Sequence, residues 1–136
     1  MKFRLASSTA LVALAVGMSL LNTAPASANS GGGCSPTHEV DGFLVQVCIS
    51  SSGTALQASV YTLENGHNTV DMTLTVKNID TNAIIGNAQK QGRIDVHSGS
   101  LVGPWTGVPA GRYQTHATFR SPTYYDAGWS PTVYIG

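Results

Sequence analysis

Val70-Asp71-Met72-Thr73-Leu74-Thr75-Val76-Lys77 is the stretch on which the fold turns. Val70, Met72, Leu74 and Val76 alternate with Asp71, Thr73, Thr75 and Lys77. A strict two-residue period, rich in β-branched side chains, describes a strand with one buried and one wetted face. Shorter stretches repeat the pattern on both sides. Val45, Val47 and Ile49 alternate with Gln46, Cys48 and Ser50, and Leu56, Ala58 and Val60 with Gln57, Ser59 and Tyr61. Weaker strands are expected over residues 83–89 and 93–97. Tyr113, Thr115, Ala117 and Phe119 form one face of residues 112–120, opposite Gln114, His116 and Thr118, and a last short strand covers 132–135. No segment of useful length has the helical period. Short strands with one polar face each, separated by Gly, Asn, Asp and Pro, predict an all-β, antiparallel sandwich of about seven short strands.

The turn before the opening stretch admits two registers. A two-residue Asn65-Gly66 loop would set Val60 against Asp71, which a half-buried sheet resists. A three-residue loop, Glu64-Asn65-Gly66, pairs Val60 with Val70, Ala58 with Met72 and Leu56 with Leu74, with Gly66 in the left-handed position of a bulged loop. The three-residue hairpin is the expectation. Inward-facing Tyr61 and Leu63 would give the other register.

The N-terminus sets the compartment. Lys2 and Arg4 precede an apolar run of 12 residues, Ala10 to Leu21, and Ala26-Ser27-Ala28 follows Pro25 as a small-x-small cleavage site. This is the layout of a secretory signal peptide over 1–28, too short for a spanning helix. Cleavage after Ala28 would leave an extracellular, secreted protein without a membrane span. Residues 29–33 are then expected as a flexible Ser/Gly linker and 34–136 as one β-sandwich domain, of ordinary single-domain size.

Cys34 and Cys48 are the only cysteines, and in an exported chain such a pair forms a disulfide. Two cysteines without nearby histidines do not close a metal site, and Gly31-Gly32-Gly33 before Cys34 lacks the aliphatic residue of a lipid-anchor signal. Because Cys48 falls on the face opposite Val47 and Ile49, the bridge would tack the N-terminal arm onto the outer side or edge of its sheet. Beyond residue 28, five basic residues stand against seven acidic ones, a net charge of −2. That balance argues against nucleic acid, which calls for a basic stripe.

Candidate chemistry is sparse. His38, His67, His97 and His116 show no ligand-spaced pair and are expected as surface histidines, with no metal or cofactor. Ser98-Gly99-Ser100 lacks the surroundings of a nucleophile elbow. Glu39 and Glu64 are the only glutamates and fall near turns or edges, poorly suited to paired carboxylate chemistry. A small secreted hydrolase therefore ranks third among the functions considered. Of nine aromatic residues beyond residue 28, seven follow Pro104. Tyr113 and Phe119 belong to the inward face. Tyr124, Tyr125 and Trp129 fall within 121–131, expected as a loop bounded by Pro122 and Pro131. With Trp105 they form a candidate ligand-binding set; the competing role for the loop is to cap one end of the sandwich.

Pro109-Ala110-Gly111-Arg112-Tyr113, ahead of an alternating strand, is similar to the turn that enters a late strand of immunoglobulin-like domains. The whole chain resembles small exported immunoglobulin-like β-sandwich proteins of Gram-positive bacteria with no assigned function. The resemblance implies an immunoglobulin-like sandwich and says nothing of activity; the Cys…Trp…Cys arrangement of antibody domains is absent. The function expected is that of a monomeric, non-catalytic extracellular binding or surface-associated module whose partner is a protein or a glycan. The sharper alternative is a glycan-binding module that uses the C-terminal aromatics, directed at cell wall or polysaccharide.

Overall fold

A computed structural model describes residues 29–63, 69–95, 98–121 and 123–136. Strands β1 (Ser30–Gly31), β2 (Gly33–Cys34) and β3 (His38–Val40) precede the long β4 (Phe43–Ser52), β5 (Ala55–Leu63) and β6 (Thr69–Asn78). One 3-10 turn (Gly86–Ala88) leads to β7 (Lys90–Asp95), β8 (Ser100–Val102) and β9 (Thr106–Gly107). The chain ends in β10 (Gly111–Ser121), β11 (Thr123–Trp129) and β12 (Val133–Ile135). All pairings are antiparallel and form two six-stranded sheets. The expected seven strands are therefore too few, because several edges are built from two short pieces that line one long neighbour.

In sheet I, β6 lies between β7 and β10, while β11 and β12 follow one another along the far edge of β10, with β1 outside β12. In sheet II, β2 and β3 line one edge of β4, β5 lies on its other side, and β8 and β9 line the far edge of β5. The apolar halves of the alternations meet in one core, which takes Val45, Val47, Ile49, Leu56, Ala58 and Val60 from sheet II. Sheet I supplies Val70, Met72, Leu74, Val76, Tyr113, Ala117 and Phe119. The rings of Phe43 and Phe119 touch edge to face across the layers, centroids 4.9 Å apart. A hydroxyl inside this core needs a partner, and the Tyr113 phenol donates to the Pro109 carbonyl at 2.7 Å.

Several expectations are corrected. β5 and β6 do not form a hairpin, because Val60 lies opposite Val47 and Leu101, and Val70 opposite Ile94. Both alternations were placed with the right residues inward; they meet across the core instead of along one sheet, which periodicity alone does not distinguish. The loop residues 64–68 lie outside the described residues. Tyr61 and Leu63 point outward and are exposed. Residues 83–89 hold a single bridge, Lys77 with Ile84, and the 3-10 turn in place of a strand. There Asn78 Oδ1 accepts from the Asp80 and Thr81 amides and turns the chain out of β6.

The stretch 29–33, expected as a linker, lies in both sheets: β1 pairs with β12, and β2 with β4. Gly31 makes the crossing possible, with φ +74° and the Thr132 carbonyl where a Cβ would sit. The Cys34–Cys48 disulfide joins residues directly opposite each other on β2 and β4, at the edge expected for it. The segment expected as a signal peptide lies outside the described residues. Among the described residues, no helix is long and apolar enough to cross a membrane.

Candidate functional site

Within 121–131, expected as a loop, Thr123–Trp129 form β11 instead, hydrogen-bonded along β10 from His116 to Ser121. Ordinary alternation places Tyr124 and Asp126 outward and Tyr125 and Ala127 inward. Tyr125 accordingly stacks on Phe119 at 5.0 Å and packs half-buried against the core, turned away from the face that carries Tyr124. Tyr124 is 65% exposed.

A regular strand would then turn Trp129 inward. The pairing instead slips between Ala117 and Thr118, so that Ala127 is an extra residue, a β-bulge that shifts the phase by one. Trp129 arrives outward, opposite His116, and its indole stacks on the imidazole with centroids 4.1 Å apart and planes 7° apart. Gly128 holds φ +100°, its amide donates to Asp126 Oδ1 at 2.8 Å, and His38 Nε2 lies 2.8 Å from the Ala127 carbonyl. An edge strand of sheet II thus fastens the bulge of sheet I.

The break at residues 130–132 repeats the phase shift. Trp129 lies opposite His116, and five residues later Tyr134 lies opposite Arg112. Tyr124, Trp129 and Tyr134 therefore share the outer face of sheet I, although their spacing of five would alternate faces on an unbroken strand. Their partners on β10, Arg120, His116 and Arg112, are four residues apart, which spaces the aromatic positions by roughly 14 Å. Trp129 and Tyr134 remain 39% and 46% exposed.

Behind this column the outer face is polar. One cross-strand row runs Tyr124, Arg120, Asp71, Arg93, and the next Asp126, Thr118, Thr73, Gln91. Arg93 holds Asp71 in a salt bridge at 3.0 Å, and Arg112 holds Asp80; each guanidinium keeps its carboxyl below the ordinary aspartate value through hydrogen bonding first and charge second. Asp126 is pushed up by burial, but the Gly128 amide and the His116 imidazole, 2.9 Å away, more than offset this and hold it below the ordinary value. Lys77 Nζ stands 5.9 Å from the centroid of the Trp129 ring. Two shallow depressions open on this face, one beside Tyr124 over Thr73, Thr118 and Arg120, the other beside Trp129 over Lys77 and Gln114.

Trp105 is not part of this arrangement. It is 51% exposed between β8 and β9, at an edge of sheet II. The four residues expected to act together are thus separated into two on one face, one half-buried against the core and one beside the other sheet. Tyr134, Arg120 and Lys77 were not foreseen; the signal available was a Gly within an alternating stretch, which marks a bulge and a change of phase. His38 and His116 hold structural hydrogen bonds, whereas His67 and His97 lie outside the described residues. No three His, Cys, Asp or Glu side chains gather as a metal site among the described residues. No known protein family, curated protein or solved structure matches the chain.

Proposed function

We propose that this chain is an exported, non-catalytic immunoglobulin-like module that holds a glycan chain against the outer face of sheet I. The observation that carries the reading is the column Tyr124, Trp129, Tyr134. Three exposed rings share one face only because two local irregularities restore the phase between them. Rigid aromatic surfaces flanked by hydroxyl, amide and guanidinium groups suit pyranose rings, which offer an apolar face to stack and a polar rim to hydrogen-bond. A column roughly 28 Å long, from eight residues of β10, fits an extended chain better than a single sugar.

The immunoglobulin-like part of the proposal is supported by strand order. With β4 as strand A, β5, β6 and β7 follow as B, C and C′, β8 with β9 as E, β10 as F, and β11 with β12 as G. The sheets then run A–B–E and C′–C–F–G. Tyr113 begins strand F and bonds back to Pro109, as the tyrosine corner of such domains does. The non-catalytic part is supported by the carboxylates of the site. A general acid needs a raised pKa, and Asp71 and Asp126 are both held low.

A second reading, contact with a protein, draws on the opposite outer face, where Leu44 and Leu63 lie across from each other with exposed Tyr61 and Val102 nearby. Retention on immobilised polysaccharides separates the two. The glycan reading expects retention that Tyr124→Ala with Trp129→Ala removes and Tyr61→Ala leaves unchanged. Retention insensitive to the aromatic pair would refute it.

A further inference from the structure

Resting on the glycan reading, we infer that the chain held on this face is acidic, built from sugars that carry carboxylates. Of the five basic residues beyond residue 28, four (Lys77, Arg93, Arg112 and Arg120) lie on the outer face of sheet I. Arg93 and Arg112 are occupied by Asp71 and Asp80. Arg120 and Lys77 have no ion-pair partner among the described residues, and each stands beside a ring of the column. Arg120 is directly opposite Tyr124, and Lys77 lies 5.9 Å from the Trp129 centroid.

Each unit therefore joins an exposed aromatic ring to a cation without a direct ion-pair partner, Arg120 acting on Asp71 only through its charge and Lys77 lying over the Trp129 ring. A neutral sugar would use the ring and offer the cation only hydroxyl acceptors, whereas a uronate stacks its ring and pairs its carboxylate with the side chain in a stronger, charge-assisted contact. The two cations are separated by the six residues from Asp71 to Lys77 on β6, roughly 20 Å. The ligand must therefore present carboxylates repeatedly along an extended chain. The face is not a general polyanion site, since Asp71, Asp80 and Asp126 stand among the cations. Single-stranded nucleic acid, which also stacks on aromatics, needs an unbroken cationic groove for its phosphates.

The test titrates protein produced from the full-length chain, disulfide intact, with polygalacturonate and with the same polymer after its carboxyls are reduced to neutral alcohols. Poly(glycerol phosphate) and oligo(dT) are the other two arms. The expected result is binding of polygalacturonate, and reduced polymer bound about a hundredfold more weakly, two charge-assisted contacts of about tenfold each. Arg120→Gln and Lys77→Gln should each weaken polygalacturonate binding by about tenfold, weaken binding of the reduced polymer by clearly less, and keep the fold, read as an unchanged circular dichroism spectrum. Equal affinity for charged and reduced polymers, or charge variants without effect, overturns the acidic class while the glycan reading survives through its dependence on Tyr124 and Trp129. Tighter binding of the phosphate polymer or of oligo(dT) also overturns it. Binding of none of the four overturns this inference, and the retention experiment on a broader set of polysaccharides then decides the glycan reading separately.

Discussion

Gly128→Ala isolates the device that sets the site. At Gly128 the backbone holds φ +100°, and an added Cβ would lie 3.1 Å from Cε1 and Nε2 of His38. Backbone in so sparsely populated a region costs an L residue about 1–3 kcal/mol. The imidazole must also give way by a few tenths of an ångström, which disturbs its 2.8 Å contact with the Ala127 carbonyl, and a net hydrogen bond is worth about 1 kcal/mol. The substitution should therefore destabilise by about 2–4 kcal/mol. For a domain of this size that lowers Tm by on the order of 10 °C or more. Two other glycines separate the contributions. Gly53 has φ +58° with open space around it, so Gly53→Ala should cost strain alone, about 1–2 kcal/mol. Gly107 has neither a positive φ nor a neighbour within 4 Å, so Gly107→Ala should be neutral or slightly stabilising. Chemical denaturation with coincident fluorescence and circular dichroism gives all three values. If Gly128→Ala costs no more than Gly53→Ala, the bulge is not held as described.

Leu74 is fully buried, so Leu74→Ala should cost about 2–5 kcal/mol, while Thr73→Ala on the outer face should stay within about 0.5 kcal/mol; equal losses by denaturant titration would contradict the assignment of faces. Replacing Cys34 and Cys48 together by Ser opens a loop with a sequence separation of 14 and should remove about 3 kcal/mol, read as a lower Tm with any ligand binding retained. Asp126 has a folded pKa below its ordinary 3.8. Its contribution to stability is therefore complete above that value and is lost as pH falls through the lower, folded one. Wild type and Asp126→Asn should thus converge in stability on acidification below about pH 3.8, and a gap that widened there would contradict the assignment.

The inward faces were legible because apolar and polar side chains alternate through β6 and through the central stretches of β4, β5 and β10, with Leu44, Tyr61, Leu63 and Thr115 as the departures. What alternation did not carry was the choice of partner. Val60 and Val70 point into the same core whether their strands pair edge to edge or face each other across it, so the hairpin expectation failed although both faces were right. The N-terminal glycines read as a linker because their strand role depends on close approach to the Thr132 carbonyl, a contact distant in sequence. At the site, Tyr124 and Trp129 were singled out as aromatics, but Pro122 and Pro131 argued for a loop and hid the strand between them. The Tyr125 contact with Phe119 follows from the two-residue period once that strand is accepted. Trp129 and Tyr134 needed the phase shifts, and Gly128 was the one visible mark of the first of them.

The most direct measurement is an amide chemical-shift titration of isotope-labelled protein with a panel of neutral and uronate oligosaccharides. The account predicts saturable changes confined to the outer face of sheet I, centred on Thr73, Thr75, His116, Thr118, Tyr124, Trp129 and Tyr134, with the indole Nε1–H of Trp129 moving and that of Trp105 still. Changes centred instead on Leu44, Tyr61 and Leu63, or an unperturbed spectrum across the whole panel, would contradict it.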